Sequence, residues 1–467
     1  MKYNIPAGAI QIIQELRKNG HQAYLVGGCV RDLLMGREPH DWDICTSALP
    51  DQMKECFGQY KVIETGLKHG TLTVVLDGQA YEVTTFRMDG AYSDGRHPDN
   101  VIFTTNVNWD LARRDFTINA IAMSEDGEIY DPYGGGLDIQ SRLIRCVGNP
   151  EERFREDALR IMRAARFSCT LGFDIARKTK QAMIHYENRG RLADISAERI
   201  ATELKKMLSG KHPGEVIRPL VSVLCVFWPE FEPCVGFDQR NIYHLYDVWN
   251  HTTVAMDAAD TNDVIVRLAL LLHDIGKPEC FTIDERGRGH FYGHPPISAA
   301  MADDMLRRLK FDNKTKEAVV QLIEHHDVVL VPSERHVRRW LNKLGEEQFR
   351  RLLSVKIGDA RAHNPETSQH IINDIVETRK ILEDVLVKEQ CFSMKDLAIR
   401  GQDILALGVR QGPEVGKILK ELLRRVIEGE LKNKRERLIG EVYKIAGGCS
   451  DERQEAQSDS KDYQAAD

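Results

Sequence analysis

The sequence predicts an α+β domain at its amino end, followed by a chain that is mostly α-helical. Short strand-like segments at 23–26 and 41–45 flank a glycine turn, which opens a helix at 30–35. Segments 70–76 and 80–87 alternate between apolar and polar residues around Asp77-Gly78, which is typical of a β-hairpin. Beyond about residue 150, apolar residues recur at the spacing of helices that pack on one face.

The composition is that of ordinary globular domains, with 467 residues, 42% of them hydrophobic and 29% charged. Because the formal net charge is −7, an RNA partner would have to meet local basic faces. The ten cysteines form no Cys-x-x-Cys pair, and no apolar run approaches the ~20 residues of a membrane span. We therefore expect a cytoplasmic protein with no disulfide framework and no membrane partner.

The glycine turn Gly27-Gly28-Cys29-Val30-Arg31-Asp32 is followed by Asp41-Trp42-Asp43. A glycine pair between a strand and a helix lets backbone N–H groups approach a triphosphate. Two aspartates two positions apart in a strand point to one face, where they repel each other unless a cation lies between them. Oxygen ligands suit Mg²⁺, so the sequence predicts a magnesium site beside a phosphate cradle.

These elements resemble the nucleotidyltransferase superfamily typified by polymerase beta, and within it tRNA CCA-adding enzymes and bacterial poly(A) polymerases. The resemblance implies a nucleotidyltransferase head over 1–148. In it, Asp41 and Asp43 hold two Mg²⁺ ions, and Gly27, Gly28 and Arg31 position the triphosphate. Glu82, in the second hairpin strand, matches a supporting carboxylate, with a water-facing polar residue as the alternative.

Two further head segments carry the same resemblance. Arg113-Arg114-Asp115-Phe116-Thr117-Ile118-Asn119-Ala120, expected at the start of an apolar helix, matches a family motif. Arg114 suits the triphosphate, and the resemblance implies that Asp115 and Asn119 lie near the ribose. Asp94-Gly95-Arg96-His97-Pro98 resembles the flexible loop that helps these enzymes change from CTP to ATP; a surface loop without a role is the alternative.

The neck is expected over 149–235, with one amphipathic helix at 152–168. Spacing alone makes Asp157 and Arg160 an i,i+3 ion pair. However, Glu156-Asp157-Ala158-Leu159-Arg160 is similar to the motif with which CCA-adding enzymes select the base without a nucleic-acid template. A carboxylate accepts from the exocyclic amine that C and A share, so the pair would admit CTP and ATP. Arg163 belongs to this pocket or to phosphate, and Glu198-Arg199 to a motif that braces the neck.

A second metal site is expected in a domain over 236–365. His273-Asp274-Ile275-Gly276-Lys277 resembles the HD phosphohydrolase superfamily. The resemblance implies one metal on His251, His273, Asp274 and Asp359, with His294 and His326 adding a second; His325 competes with His326. Imidazole and carboxylate ligands favour Mn²⁺, Ni²⁺, Fe²⁺ or Zn²⁺. Lys277 would neutralise the phosphate of a monoester or of a 2′,3′-cyclic ester, and an inactive structural HD fold is the alternative.

In the last fifth of the chain, we expect a helical body and tail over 366–447, with basic helices that suit tRNA, and a disordered acidic tail over 448–467. The resemblance therefore implies template-independent addition of C, C and A to tRNA from CTP and ATP, with no role for DNA. Three alternatives stay open: a poly(A) polymerase, a CC-adding or A-adding specialist, and an HD hydrolase whose head only binds RNA.

Overall fold

The computed structural model describes residues 3–90, 100–388 and 393–445. The predicted loop at 94–98 and the predicted acidic tail at 448–467 lie outside these ranges. The α+β head contains helices and strands in mixed order: α1 (Ala7–Lys18), β1 (Ala23–Val26), α2 (Gly28–Leu34), β2 (Asp43–Thr46), α3 (Pro50–Cys56), β3 (Lys61–Gly66), β4 (Thr71–Leu76), β5 (Gln79–Thr85), β6 (Arg87–Asp89), β7 (Val101–Phe103), α4 (Val107–Ala112), β8 (Ala122–Met123), β9 (Ile129–Tyr130), α5 (Gly135–Gln140) and β10 (Leu143–Ile144).

The remainder is mainly helical, as predicted, with three short strands. Its elements are α6 (Pro150–Glu156), α7 (Leu159–Leu171), β11 (Asp174–Ile175), α8 (Arg177–Ile184), α9 (Tyr186–Gly190), α10 (Ala197–Leu208), α11 (Pro213–Ile217), α12 (Val221–Leu224), α13 (Val248–Ala258), α14 (Val264–Leu272), β12 (Thr282–Ile283), β13 (Gly289–His290), α15 (His294–Arg308), α16 (Asn313–His325), α17 (Glu334–Leu344), α18 (Glu346–Ala362), α19 (Pro365–Val387), α20 (Gly401–Ala406) and α21 (Pro413–Ile427). Residues 435–445 are also helical.

A seven-stranded mixed sheet forms the head, in the order β3-β4-β5-β2-β1-β8-β9. The predicted hairpin is present, because β4 and β5 pair antiparallel around Asp77 and Gly78. Strand β2 lies parallel to β5, and this register puts Asp43 directly beside Glu82. The predicted strand at 41–45 starts later than expected: Asp41 lies in a bend, and β2 begins at Asp43.

Two helix predictions were wrong. The predicted helix at 152–168 is two helices, because α6 ends at Glu156 and Asp157 is extended, with φ −145° and ψ 105°. The Asp157 carboxylate accepts from the Leu159 backbone N–H at 3.0 Å, a local bond that satisfies the first N–H group of α7. The motif at 113–120 does not open a helix either; it follows α4 and forms a short 3₁₀ turn at Thr117–Asn119 before β8.

Apolar side chains gather into three clusters. One cluster extends through the head, the neck and the following helices, from Ile5 to Val385. A smaller cluster lies in the head and includes Val26 and Phe86. A separate cluster, from Leu397 to Val442, holds the last helices together. In the part of the chain that the structure describes, no helix is both long and apolar enough to cross a bilayer.

Ion pairs attach the last helices to the preceding body. Arg335 and Arg339 on α17 both pair with Glu428, which follows α21. On α21 itself, Arg424 and Arg425 both pair with Glu421. Much of the basic charge expected for RNA is therefore engaged with carboxylates.

Candidate functional site

In the glycine turn before α2, Gly27 lies close to the backbone of Ile121 and to the side chain of Arg114. Gly27 has a φ of 81° and donates its N–H to the Ile121 carbonyl at 3.2 Å. A Cβ on Gly27 would lie 2.8 Å from Nη1 of Arg114, so only glycine lets this guanidinium lie over the turn. Arg114 also donates to buried Asp110 at 3.2 Å, which holds its side chain in place. The motif at 113–120 thus contributes a cation at the glycine turn.

Three carboxylates lie beside this turn. Asp43 is half-buried at the start of β2, whereas Asp41 and Glu82 are exposed. Burial raises the pKa of Asp43; Arg114 opposes the shift, and Glu82 and Asp41 add to it. The like charges and the all-oxygen donor set fit a hard divalent cation. Within the described ranges, groups of three ligand atoms all within 4.8 Å of one another occur only in the second half of the chain, so the head trio is more open.

A chain of hydrogen bonds links the head to the neck. Arg31 donates to Asn119 at 2.8 Å, and Asn119 donates to Asp115 at 3.1 Å. Arg163 on α7 donates to the other oxygen of Asp115 at 2.6 and 2.8 Å. Burial opposes ionisation of Asp115, but Arg163, Asn119 and Arg160 together outweigh it and lower the pKa of the carboxyl to about 2. Four residues from three separate parts of the sequence therefore form one network.

Sequence reasoning missed the aromatic ring beneath this network. The guanidinium of Arg166 lies 3.9 Å from the centre of the Phe167 ring, and those of Arg31 and Arg163 lie 5.3 and 5.5 Å away. Arg166 in turn pairs with Glu203 on α10. Phe167 lay within the predicted apolar helix, but nothing in its spacing distinguished it from an ordinary core residue.

The ion pair that spacing alone would give Asp157 and Arg160 does not occur among the described contacts of either residue. Arg160 pairs with Glu156 and donates to the Arg113 carbonyl at 3.1 Å. Asp157 instead pairs with Arg199 on α10 at 2.8 Å. The i,i+3 geometry requires a continuous helix, and the break at Asp157 removes it. Arg199, which the sequence assigned to a bracing motif, is thus a direct partner of Asp157.

A second cluster gathers from five helices or their ends, and the six side chains predicted as metal ligands all meet there. His251 Nε2 lies 2.9 Å from Asp359, His273 Nε2 lies 3.2 Å from Asp274, and His294 Nε2 lies 3.1 Å from His326 Nε2. Two groups of three residues each bring their ligand atoms within 4.8 Å of one another. One group is His251, His273 and Asp359, and the other is His273, Asp274 and His326.

Backbone carbonyls orient three of these imidazoles. The Nδ1 atoms of His273, His294 and His326 lie 2.8, 2.9 and 2.7 Å from the carbonyls of Leu270, Phe291 and Ile323. Each Nδ1–H donates to the carbonyl three residues earlier in the chain, so each Nε2 faces the cluster.

Two adjacent histidines, His325 and His326, differ in where their side chains lie. His325 packs against Trp340, with ring centroids 5.5 Å apart, whereas His326 faces the cluster. The structure therefore brings His326 to the cluster.

The donor set of this cluster fits a transition metal. Both carboxylate oxygens of Asp274 and Nε2 of His273 are buried and have no hydrogen-bond partner of good geometry among the described residues. Burial opposes protonation of His273, but the carboxylates of Asp274 and Asp359 together outweigh it and raise the pKa of the imidazole to about 10. Lys277 Nζ lies 2.7 Å from Asp274 and donates to Gln239 at 3.0 Å. The cluster opens into a cavity of about 270 Å³.

Two histidines that sequence reasoning missed line the same cavity. His363 Nδ1 lies 3.4 Å from Asp359, and the His244 ring packs 4.6 Å from the His363 ring. His363 follows Asp359 by one helical turn, and that spacing could have indicated it. Burial lowers the pKa of His244 to about 2, so this imidazole is neutral at pH 7.

The mixed sheet, the glycine turn and the acidic strand pair define a nucleotidyltransferase head. Three family models match in agreement with this: "Poly A polymerase head domain" over 23–145, "Probable RNA and SrmB- binding site of polymerase A" over 172–224, and "tRNA nucleotidyltransferase domain 2 putative" over 295–442.

Relatives specify the family. The CCA-adding enzyme of Geobacillus thermodenitrificans is 37% identical over 434 residues, which cover 92% of this chain and 95% of that protein. The CCA-adding enzyme of Bacillus velezensis is 36% identical over 426 residues, covering 91% and 94%. The crystal structure of the Bacillus stearothermophilus CCA-adding enzyme in complex with CTP matches with a TM-score of 0.68 and 31% identity, covering 95% of this chain and 98% of that one. The chain belongs to the family of CCA-adding enzymes.

Proposed function

We propose that this protein adds C, C and A to the 3′ end of tRNA, using CTP and ATP without a nucleic-acid template. The observation that carries the proposal is the register of β2 and β5, which sets the carboxylates of Asp43 and Glu82 on directly paired residues. Support also comes from relatives named as CCA-adding enzymes and from a related structure in complex with CTP.

In this proposal each group of the head has one task. Asp41 and Asp43 hold Mg²⁺, with Glu82 assisting; when bound, the metal activates the tRNA 3′-hydroxyl and neutralises the leaving pyrophosphate. Gly27, Gly28, Arg31 and Arg114 hold the triphosphate. Asp115 and Asn119 lie near the ribose, and their hydrogen bonds to Arg163 and Arg31 fix their orientation.

Base selection is assigned to Asp157 and Arg160, with Arg163 in the same pocket or on phosphate. Both side chains of the selecting pair already have partners, Arg199 and Glu156. The exocyclic amine of cytosine or adenine would add a donor to the Asp157 carboxylate, which can accept several hydrogen bonds. Guanine and uracil present a carbonyl at that position, and a carboxylate repels it. This asymmetry supports the choice of CTP and ATP.

The test is nucleotide incorporation into a tRNA that ends before its CCA, with products separated at single-nucleotide length. Two additions with CTP alone and three with CTP plus ATP are expected. A long ladder with ATP alone would identify a poly(A) polymerase. Addition limited to CTP or to ATP would identify a specialist, and no addition with the tRNA still bound would leave the head as an RNA-binding domain.

We propose a second activity, a metal-dependent phosphohydrolase at the histidine–aspartate cluster. The buried Asp274 oxygens, which have no hydrogen bond of good geometry to any described residue, and the inward Nε2 atoms support a transition metal held by His251, His273, Asp274 and Asp359, with His294 and His326 for a second ion. When bound, such a metal activates water for attack on phosphorus. Lys277 lines the same cavity, so its ammonium would neutralise a substrate phosphate bound there.

Metal analysis and hydrolysis assays test this second activity. Protein loaded with Mn²⁺, Ni²⁺, Fe²⁺ or Zn²⁺ should retain the ion through dialysis and should cleave adenosine 2′,3′-cyclic phosphate or a phosphomonoester. Retention of metal without hydrolysis of any phosphate ester would make the cluster a structural site. Loss of all four ions on dialysis would contradict the metal assignment.

We further propose four functional segments: the head over 1–148, the neck over 149–235, the metal-binding domain over 236–365 and a tRNA-binding tail over 366–447. Lys417 and Lys420 support the last assignment, because they form no ion pair with any residue that the structure describes. A cytoplasmic location is supported by the free cysteines, several of them buried, since such thiols persist in a reducing compartment.

A further inference from the structure

The buried ring of Phe167 lies among three guanidiniums that come from α2 and α7. The guanidinium carbon of Arg166 lies 3.9 Å from the ring centre, and those of Arg31 and Arg163 lie 5.3 and 5.5 Å from it. Only 5% of Phe167 is exposed. A cation within about 6 Å of a ring centre is attracted by the negative face of the ring. All three guanidiniums are therefore within reach of one ring.

Each of the three arginines also has a carboxylate partner of its own. These partners come from α2, from the motif at 113–120 and from α10: Asp32 for Arg31, Asp115 for Arg163, and Glu203 for Arg166. The charges of the three arginines and the three carboxylates balance, so the ring meets ion pairs and not an excess of positive charge. The ring is thus a contact that ion pairs from separate elements of the head and the neck share.

Burial makes these contacts to the ring stronger than contacts of the same kind at a surface. The side chains of Arg31 and Arg166 are 11% and 14% exposed, whereas that of Arg163 is 35% exposed. The attraction between a cation and a ring gains strength as water is removed from the cation. Arg31 also lies 2.8 Å from Asp32 and donates to Asn119 at 2.8 Å, so the ring is the third group that holds its guanidinium.

Two further contacts hold the ring itself in place. Phe116, within the motif at 113–120, packs against Phe167 in a T-shaped arrangement, with ring centroids 5.7 Å apart and planes at 82°. On the side of the neck, the buried carboxylate of Glu203 on α10 pairs with Arg166, whose guanidinium lies over the ring. The head and the neck therefore fix the position of this ring together.

We propose that Phe167 is a positioning residue for nucleotide transfer, whose ring holds Arg31 and Arg163 in the orientation that meets the incoming nucleotide. The inference rests on the function proposed above, in which Arg31 holds the triphosphate and Asp115, bonded to Arg163, lies near the ribose. A ring that already holds the arginines reduces the ordering that binding would otherwise require. Triphosphate and ribose are common to CTP and ATP, so the ring should serve both nucleotides equally and leave base selection unchanged.

Fluorinated phenylalanines separate the electrostatic role of this ring from its packing. Each ring fluorine withdraws electron density from the face and weakens its attraction for a cation, with little change in shape. Full-length protein that carries phenylalanine with one, two or three ring fluorines at position 167 is given CTP and a tRNA that ends before its CCA. The KM for CTP should rise with each fluorine, to about tenfold with three, at unchanged kcat. ATP and a tRNA that ends in CC should give the same factors.

Phe57 provides the matched control. It is also a buried ring with a T-shaped aromatic neighbour, Tyr60, at 6.2 Å between ring centroids. Among the residues that the structure describes, no guanidinium or ammonium lies over the Phe57 ring. The same fluorine series at Phe57 should leave the KM for CTP unchanged. An equally flat KM across the series at Phe167 would overturn the positioning role and leave this ring as packing.

Phe167→Leu provides a second comparison, through binding without turnover. Leucine keeps an apolar side chain and offers no π-face, so the Kd for CTP, measured without tRNA, should rise about tenfold. The preference for CTP over UTP should stay at the parent value; its loss together with affinity would indicate a loosened neck and contradict the inference. A parent protein that binds CTP but adds no nucleotide would contradict the proposed function, whereas CTP binding by Phe167→Leu at the parent Kd would contradict the positioning role.

Discussion

At the scale of single residues, Asp43 is the carboxylate on which the head chemistry depends. Replacing it by asparagine keeps the shape and removes the charge that would hold Mg²⁺ against the repulsion of Asp41 and Glu82. We expect Asp43→Asn to lower CCA addition by about a thousandfold or more, because metal stabilisation of the transition state is worth several kcal/mol. Single-turnover incorporation of CTP measures the loss.

The control for Asp43→Asn is the thermal stability of the variant. Asp43 is half-buried at the beginning of a strand, so the neutral isostere should leave the melting temperature within a few degrees of the parent value. An Asp43→Asn protein that is folded and adds nucleotides at the parent rate would contradict the metal assignment.

Asp157 supports a second prediction at this scale. Its carboxylate accepts hydrogen bonds only, whereas the amide of asparagine can also donate to the carbonyl of uracil or guanine. Asp157→Asn should therefore lower discrimination against UTP and GTP by about ten- to a hundredfold. Incorporation measured with each of the four nucleotides separately will show this.

The variant Arg199→Ala tests whether Asp157 selects the base or only braces the neck. It removes the ion pair to Asp157 and leaves the accepting carboxylate in place, so it should weaken CTP and ATP use together and keep the rejection of UTP. If both variants relax selection equally, Asp157 acts by bracing the neck and not by contacting the base.

At the scale of elements, the turn before α2 depends on an unusual backbone. Gly27 has a φ of 81° and no room for a Cβ beside Arg114. Gly27→Ala should cost about 1–3 kcal/mol of stability from backbone strain and should also displace Arg114, with loss of triphosphate affinity. Thermal unfolding and CTP binding report the two effects.

Gly36, just after α2, offers the comparison. Its φ is 69°, and a Cβ there would meet nothing within 4 Å. Gly36→Ala should therefore destabilise by about 1–2 kcal/mol without changing CTP affinity. Equal loss of CTP affinity in both variants would show that strain in α2, and not the position of Arg114, controls the nucleotide site.

The helices and strands also show how much of the fold could be predicted from the sequence. Strand β1 and the hairpin of β4 and β5 were predictable, because alternation and turn residues are local signals. The break between α6 and α7 was not, since Phe154, Ala158 and Ile161 keep a helical spacing across it. The break depends on Asp157 bonding to the Leu159 N–H and to Arg199, and the second of these contacts comes from another helix. Motifs thus located the candidate residues, and tertiary contacts decided their partners.

At the scale of the whole molecule, the head and the histidine–aspartate cluster have separate ligand sets. Asp274→Asn keeps the volume of a buried side chain and removes its charge. It should lower transition-metal retention by at least about tenfold and remove phosphohydrolase activity, with CCA addition unchanged. Metal analysis after dialysis and both activity assays on one preparation test this independence.

The reciprocal control is Asp43→Asn, which should keep the second metal and its hydrolase activity. A variant of either site that disables both activities while remaining folded would show that the two sites communicate.

The apolar cluster that extends from Ile5 to Val385 has a consequence for how such a chain is made and altered. Its amino-terminal part cannot complete its packing while the ribosome still holds the later helices, so nascent chains should expose unfinished apolar surface until late in synthesis. Exchange of the head between homologues would likewise cut through shared packing. Hybrid chains joined at the end of the head should therefore need matched residues on both sides of the junction, whereas the small cluster from Leu397 to Val442 can be exchanged as a module.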